Sequence, residues 1–502
     1  MTTWQFQPEF DSAALRELLA GDGWRQRAVP VKRNARRAVW RIPPANGRPG
    51  LYVKEDFPGS LRNRVKNLWR WKCAAELAAG LALRAAGVPV VRFVAWGKAP
   101  PDSLLVSEEF TGAEELGELL ARTWHEPAAR ARLLPFLAGF LNRLLRAGVV
   151  HWDLHPGNIL VRPLPLAEPP FYEGVLADVY GVRTGRPFNP RLVATTLGLL
   201  KNRLPWLPPA ERSAFLDATF AGTPAAAAPA AWLAACEAAW RRQRLRDWPG
   251  RRASLLAHGA GLATRFTDAQ GRWLIRAGLV APATAQTLLA NASAGQGTIL
   301  KTGKAGGVRR LSLEGHSYIA KEYHVGWRFG WWRRDRQCWL NCARLEKLVP
   351  AAHALAWLRA RDGHGWILLA DVGPLSLHRW FKEPAARPND GTTAETLLDD
   401  LATFLAALHR RGIFHPDLKP TNLHLQPPEP ELPTPFRLID CDRVHFRRPL
   451  SRQLRSRNLR QILDGLARWL TPEQRRRFLA AYLAQLGHAA DPQASAASLE
   501  EG

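Results

Sequence analysis

The chain is short of acidic residues: 70 Lys plus Arg stand against 44 Asp plus Glu, which leaves a formal net charge of +26. Such a field disfavours a cationic partner and implies an anionic one, whether nucleic acid, an acidic membrane surface or a phosphorylated glycolipid. No nucleic-acid reader motif accompanies the charge, so nucleic-acid binding is not expected. Lysine is scarce as well, at 12 of the 70 cations, so a lysine that falls on a motif is informative. Cysteine is limited to five positions, Cys73, Cys236, Cys338, Cys342 and Cys441. An odd count with no C-x-x-C pair points to neither a disulfide framework nor a zinc site. Cys338 and Cys342, four apart on an expected helix, read as packing residues. No run approaches the ~18 apolar residues of a spanning helix, and the opening Met-Thr-Thr-Trp-Gln-Phe lacks the basic and apolar stretches of a signal peptide. A cytoplasmic location is expected, with peripheral contact at the inner face of the inner membrane.

What is present is ample core material. Hydrophobic residues make up 46% of 502, and single cores stop growing near roughly 250 to 300 residues, so two domains are expected. An internal repeat supports this. Tyr52-Val53-Lys54-Glu55 matches Ile319-Ala320-Lys321-Glu322, and His151-Trp152-Asp153-Leu154 matches His415-Pro416-Asp417-Leu418. Leu176-Ala177-Asp178 matches Leu438-Ile439-Asp440, and the Trp206-Leu207-Pro208 segment matches Trp469-Leu470-Thr471, all at a spacing of about 265 residues. Expected boundaries are 1–220 for the first domain, an Ala- and Arg-rich connector at 221–290, and 291–502 for the second, ending in a frayed tail. Within each repeat, strands (51–54 and 104–107; 317–321 and 366–369) come with helices at 74–86 and 130–147, and at 339–348 and 393–411. That order predicts α+β lobes.

Phosphoryl transfer from a nucleotide needs a cation on the phosphates, oxygen ligands for magnesium, and a base for the acceptor hydroxyl. Each repeat offers these in one order. Lys54 and Lys321 end apolar strands. His151-x-Asp153 is followed by Asn158 and His415-x-Asp417 by Asn422, with the carboxylate and the amide five positions apart. Asp178 and Asp440 each follow a short apolar strand, although neither continues as D-F-G; Asp442 is an alternative to Asp440.

These residues resemble the H-R-D-x-x-x-x-N loop and flanking elements of protein kinases. More closely, the chain is similar to the bacterial lipopolysaccharide kinases that act on Kdo or heptose of the inner core, over about residues 30–216 and 297–485. The Leu438-to-Val444 segment and the Arg452, Arg455, Arg457 and Arg460 helix carry much of that likeness. The resemblance implies two tandem protein-kinase-like domains, each a small β-rich N-lobe and a helical C-lobe, and an ATP- and Mg-dependent phosphotransferase acting on a sugar hydroxyl of the lipopolysaccharide core. It implies Lys54 and Lys321 as phosphate-contacting lysines, Asp153 and Asp417 as catalytic bases, and Asn158, Asp178, Asn422 and Asp440 as metal ligands. Glu76 is the implied partner of Lys54.

Each half departs from that pattern. The place matching Glu76 in the second domain falls near Gln337, with Asp335 close by, and the first domain has Lys32-Arg33-Asn34-Ala35-Arg36-Arg37 where the second has Gly303, Gly306 and Gly307. One domain is therefore a candidate for an inactive partner. Two other readings remain: a protein or small-molecule kinase of the aminoglycoside-phosphotransferase type, and a pseudokinase scaffold for an anionic partner. Arg62, Arg64, Lys66, Trp69, Arg70, Trp71 and Lys72, and then Trp327, Arg328, Trp331, Trp332, Arg333, Arg334 and Arg336, mix basic and aromatic side chains. They fit either an anionic membrane interface or the solvated flank of a core helix.

Overall fold

The computed structural model describes residues 2–486, apart from 22, 35, 46, 58–70, 125, 166–170, 257–260, 304–305, 325–332, 347, 390, 428–433 and 448–449. Helices and antiparallel sheets alternate along the chain, an α+β composition. The chain divides into two compact units, Met1–Lys201 with Ala210–Trp240, and Asn202–Pro209 with Arg241–Gly502.

The first unit opens with strands β1 (Thr3–Phe6), β2 (Val29–Arg33), β3 (Arg37–Ile42), β4 (Leu51–Asp56), β5 (Phe93–Ala99) and β6 (Asp102–Glu108). They form one antiparallel sheet in the order β1-β5-β6-β4-β3-β2. Side chains alternate across a strand, so when Leu51 and Val53 bury against Leu15, Leu19 and Trp24, Lys54 must point to the opposite face. The helix Lys72–Ala85 carries the buried residues Cys73, Glu76, Leu77, Gly80 and Leu83. A Cβ at Gly80 would fall 2.1 Å from the Phe93 ring, so only glycine allows the helix this close to β5. The helix Pro127–Arg146 buries Leu133, Phe136, Leu137, Phe140, Leu141 and Leu144, a period of three to four that lays one stripe on the core. Next come β7 (Glu114–Glu115), β8 (Ile159–Pro163) and β9 (Tyr172–Leu176), which form a small antiparallel sheet.

The second unit builds a seven-stranded sheet from β10 (Ala263–Thr267), β11 (Gly271–Arg276), β12 (Thr298–Gly303), β13 (Gly306–Leu313), β14 (His316–Tyr323), β15 (Ala354–Ala360) and β16 (Gly365–Ala370). Its order, β10-β11-β15-β16-β14-β13-β12, repeats that of the first sheet with β10 added at one edge. The stretch read from sequence as a connector is therefore folded. Residues 229–256 are helical, as alanine favours, and β11 pairs with β15 as β1 pairs with β5 in the first unit, with β10 outside it. The expected helices at 74–86 and 339–348 run instead from Lys72 to Ala85 and from Arg334 to Leu345. Their cations lie in the first turn, where the apolar period has not begun.

The helical part of the second unit is tied by a buried polar cluster. His409 on the helix Ala394–Arg410 contacts the Tyr482 hydroxyl through Nδ1 (2.8 Å) and Asn458 Oδ1 through Nε2 (3.3 Å), which joins three helices. Burial disfavours the imidazolium and pushes the His409 pKa down to about 3. A depressed histidine contributes stability that is present above the unfolded value of 6.5 and is lost as pH falls towards the folded one. His409 alone should therefore cost about 2 kcal/mol of unfolding free energy between pH 7 and pH 5. Urea unfolding of wild type and His409→Gln at both pH values should give a shallower pH dependence in the variant, from a lower starting stability.

Candidate active site

Lys54 leaves the sheet on the face covered by the helix Lys72–Ala85. Its Nζ lies 2.5 Å from Glu76 Oε1 and 3.3 Å from Asp178 Oδ1. Glu76 is only 1% exposed, and burial raises its pKa against the opposing pull of Lys54. Asp178 follows β9. Burial works against its ionisation, but Lys54 and Arg37 outweigh that and hold its carboxyl well below the usual range. The Arg37 contact, Nη1 to Oδ2 at 2.8 Å, spans 141 residues, and no motif announced it.

The loop bearing Asp153 is held by His151. Its Nδ1 accepts the Asp153 N–H (3.2 Å), so Nε2 carries the proton and donates to the Asp178 carbonyl (2.7 Å). One neutral imidazole thereby links the two acidic segments, and burial keeps its pKa lowered. Asn158 donates from Nδ2 to the Asp153 carbonyl at 2.9 Å, which commits its nitrogen and leaves its amide oxygen for another partner. The Asp153 side chain itself is 86% exposed. A cleft of about 870 Å³ is lined by Lys32, Arg37, Lys54, Gly157, Asp178 and others. At its β2–β3 turn Asn34 Oδ1 accepts the N–H groups of Arg36 and Arg37, each at 2.9 Å. This side-chain turn stands where glycines were looked for; Ala35 lies outside the described residues.

The second unit repeats the loop and alters the lysine site. His415 Nδ1 accepts the Asp417 N–H (3.2 Å), its Nε2 donates to the Ile439 carbonyl (3.1 Å), and Asn422 Nδ2 donates to the Asp417 carbonyl (2.7 Å). Lys419 Nζ approaches Asp417 Oδ2 at 3.1 Å. Lys321 pairs directly with Asp440. Burial opposes ionisation of Asp440, and the adjacent Lys321 holds its pKa down at about 2. Asp442, the alternative to Asp440, is buried on Arg334 (2.5 Å), with Lys321 at 3.9 Å.

The place near Gln337, where the sequence departs from the pattern, supplies Lys321 with no partner from Asp335. Asp335 is buried against Arg333 and the Trp357 indole, each at 2.8 Å. Cys338 stands four residues into the helix Arg334–Leu345, as Glu76 does in Lys72–Ala85. Arg333 and Arg334, part of the cluster that fits either a membrane interface or a solvated helix flank, are turned onto internal carboxylates. Residues 62–70 and Trp327, Arg328, Trp331 and Trp332 lie outside the described residues. Sequence reasoning also missed Asn458 and Gln461, whose side-chain amides donate to the His415 carbonyl (2.6 Å) and the Pro416 carbonyl (2.7 Å). They were hidden among the arginines of the helix Arg452–Gly465.

Removing Lys54 would leave Glu76 charged and buried, or force it to protonate. Lys54→Met should lower stability by about 3 kcal/mol, and Lys54→Met with Glu76→Leu should recover most of that loss in guanidinium unfolding.

The family model for lipopolysaccharide kinases (Kdo/WaaP) matches residues 33–168 and 363–482. The first segment holds Lys54, Glu76, Asp153 and Asn158, and the second holds Asp417, Asn422 and Asp440. A solved structure of WaaP in complex with acyl carrier protein is similar at 20% identity, covering 44% of this chain and 98% of that one with a TM-score of 0.33. No curated protein matches. With about half of its length matched by one model, the chain belongs to the lipopolysaccharide kinase (Kdo/WaaP) family, a family of phosphotransferases.

Proposed function

We propose that the chain transfers the γ-phosphoryl group of ATP to a sugar hydroxyl, Kdo or heptose, of the lipopolysaccharide inner core, and that the first unit carries the reaction. The observation behind this reading is the Lys54–Glu76–Asp178 set, built on the buried Glu76, with a loop that carries an exposed Asp153. On the same reading the two units are tandem copies of one scaffold, the second taking in β10 and β11. The second unit, with Cys338 in place of the glutamate, is on this reading the copy that does not turn over.

The residues fit a divalent metal. An ionised carboxylate at Asp178 and the uncommitted amide oxygen of Asn158 are the hard oxygen donors that magnesium prefers. When bound, magnesium would neutralise charge on the nucleotide phosphates. Lys54, steadied by Glu76, presents its ammonium to the phosphates. His151 fixes the backbone from which Asp153 reaches the acceptor, and Asp153 takes the hydroxyl proton. Trp152 is 63% exposed and has Arg191 over its ring at 5.3 Å, so it offers a flat face for an acceptor sugar next to Asp153. The net charge of +26 favours a phosphorylated glycolipid over a cationic drug. No described helix is long and apolar enough to cross a membrane. We place the enzyme at the cytoplasmic face of the membrane that carries its acceptor.

Transfer of labelled phosphate from ATP to deep-rough lipopolysaccharide should require magnesium. Asp153→Ala should lower the rate by about 10²- to 10⁴-fold, while Asp417→Ala should leave most of it. Equal losses in both variants would contradict the assignment to the first unit; no transfer by folded wild type would contradict the acceptor. Trp152→Ala should raise KM for lipopolysaccharide and leave KM for ATP unchanged.

A further inference from the structure

The second unit carries a cluster that its phosphotransfer residues do not use. Along β14 side chains alternate: Lys321 and Tyr323 turn to one face, while Glu322 and the next outward position, His324, turn to the other. The β15–β16 turn brings His364 alongside, because Tyr323 pairs with Gly365 across the ladder. His364 Nδ1 lies 2.8 Å from Glu322 Oε1, and His324 Nε2 lies 3.5 Å from the same oxygen. The two imidazole rings are 4.8 Å apart. One ligand atom from each of the three residues falls within 4.8 Å of the others.

We infer that Glu322, His324 and His364 form a binding site for a transition-metal dication of the zinc type. Two imidazoles and one carboxylate are the donor set of three-ligand zinc sites, in which a fourth position stays open to water or an incoming group. The same set is a poor match for magnesium, which asks for oxygens. Glu322 lies within β14, His324 one residue past its end and His364 in the turn before β16, so the ligands come from the rim of a paired sheet. Closing the set around one ion requires movements of about an ångström in partly exposed side chains. On the neighbouring strand Gly307 faces Glu322 and brings no side chain; even a Cβ there would stand 3.6 Å from Glu322 Oε2. The site adjoins the β12–β13 hairpin, with Gly303, Gly306 and Gly307. A bound ion would clamp the end of β14, two residues beyond Lys321, to the β15–β16 turn. The inference does not depend on which unit transfers phosphate, and it adds a metal separate from the magnesium expected at Asn158 and Asp178.

The experiment uses the full chain, stripped with chelator and kept in excess magnesium, and titrates it with zinc and, for its visible spectrum, with cobalt(II). The expected result is one equivalent bound in the presence of magnesium, a raised melting temperature, and a cobalt spectrum typical of nitrogen and oxygen ligands. His324→Ala and His364→Ala should each lower affinity by at least about tenfold, the lower end of what even outer-shell changes cost. His316→Ala, an exposed histidine at the other end of β14, should bind as wild type does. Glu322→Gln, which keeps shape and removes charge, guards against a folding defect and should also weaken binding. Stoichiometric binding unchanged in His324→Ala and His364→Ala would overturn the site, as would no binding by folded wild type. A cobalt spectrum dominated by thiolate charge transfer would overturn it as well, by assigning the metal to cysteine.

Discussion

A lysine ammonium removed from water needs carboxylates around it, and in the first unit that requirement organises the cleft. Lys54 is largely enclosed, so Glu76 comes from the covering helix and Asp178 from the turn after β9. Three segments far apart in sequence are thereby drawn to one point. The charges on Lys54 and Arg37 in turn hold Asp178 ionised against the opposing effect of burial. Gly80 serves the same end from the packing side, because a larger residue would push the helix, and Glu76 with it, away from the lysine.

The second unit meets the same requirement without a carboxylate from its helix. Its helix begins five residues sooner after the lysine, at Arg334 after Lys321 against Lys72 after Lys54. A thiol, Cys338, then occupies the turn where a carboxylate would pair, and Asp440 takes over the cation. Asp440 does so from a left-handed backbone conformation (φ +58°), which a short polar side chain tolerates better than most. The surrounding arginines are drawn inward, Arg334 to Asp442 and Arg333 to Asp335. Part of the chain's large positive charge is thus spent on internal pairing.

The aspartate loops show the opposite economy. Both units hold the loop with one neutral histidine that accepts a loop N–H and donates to the carbonyl of the following segment. In the second unit Asn458 and Gln461 add amide contacts to the loop carbonyls. Buried neutral polar groups of this kind stay ordered only when every donor and acceptor is matched, which is how a surface loop can be as well defined as a strand.

The order lysine, His-x-Asp, asparagine, aspartate was legible from sequence because each member is tied to a local feature, a strand end or a tight turn, that leaves a short motif. Its occurrence twice at one spacing revealed the repeat. Glu76 was reached through the resemblance, which placed a glutamate on the helix after the lysine. What sequence could not supply were pairings that depend on where separate segments meet: Arg37 on Asp178, Asp335 on Arg333, Cys338 in the place of a glutamate, and two histidines on one glutamate at the end of β14. Nor could it separate β10 and β11 from their Ala- and Arg-rich surroundings: β10 is a mostly exposed edge strand and β11 is buried along most of its length between two neighbours, so neither shows a clear alternation. Local backbone preference and period are written along the chain; the neighbours of a buried charge are decided only when the sheet and its helix close over it.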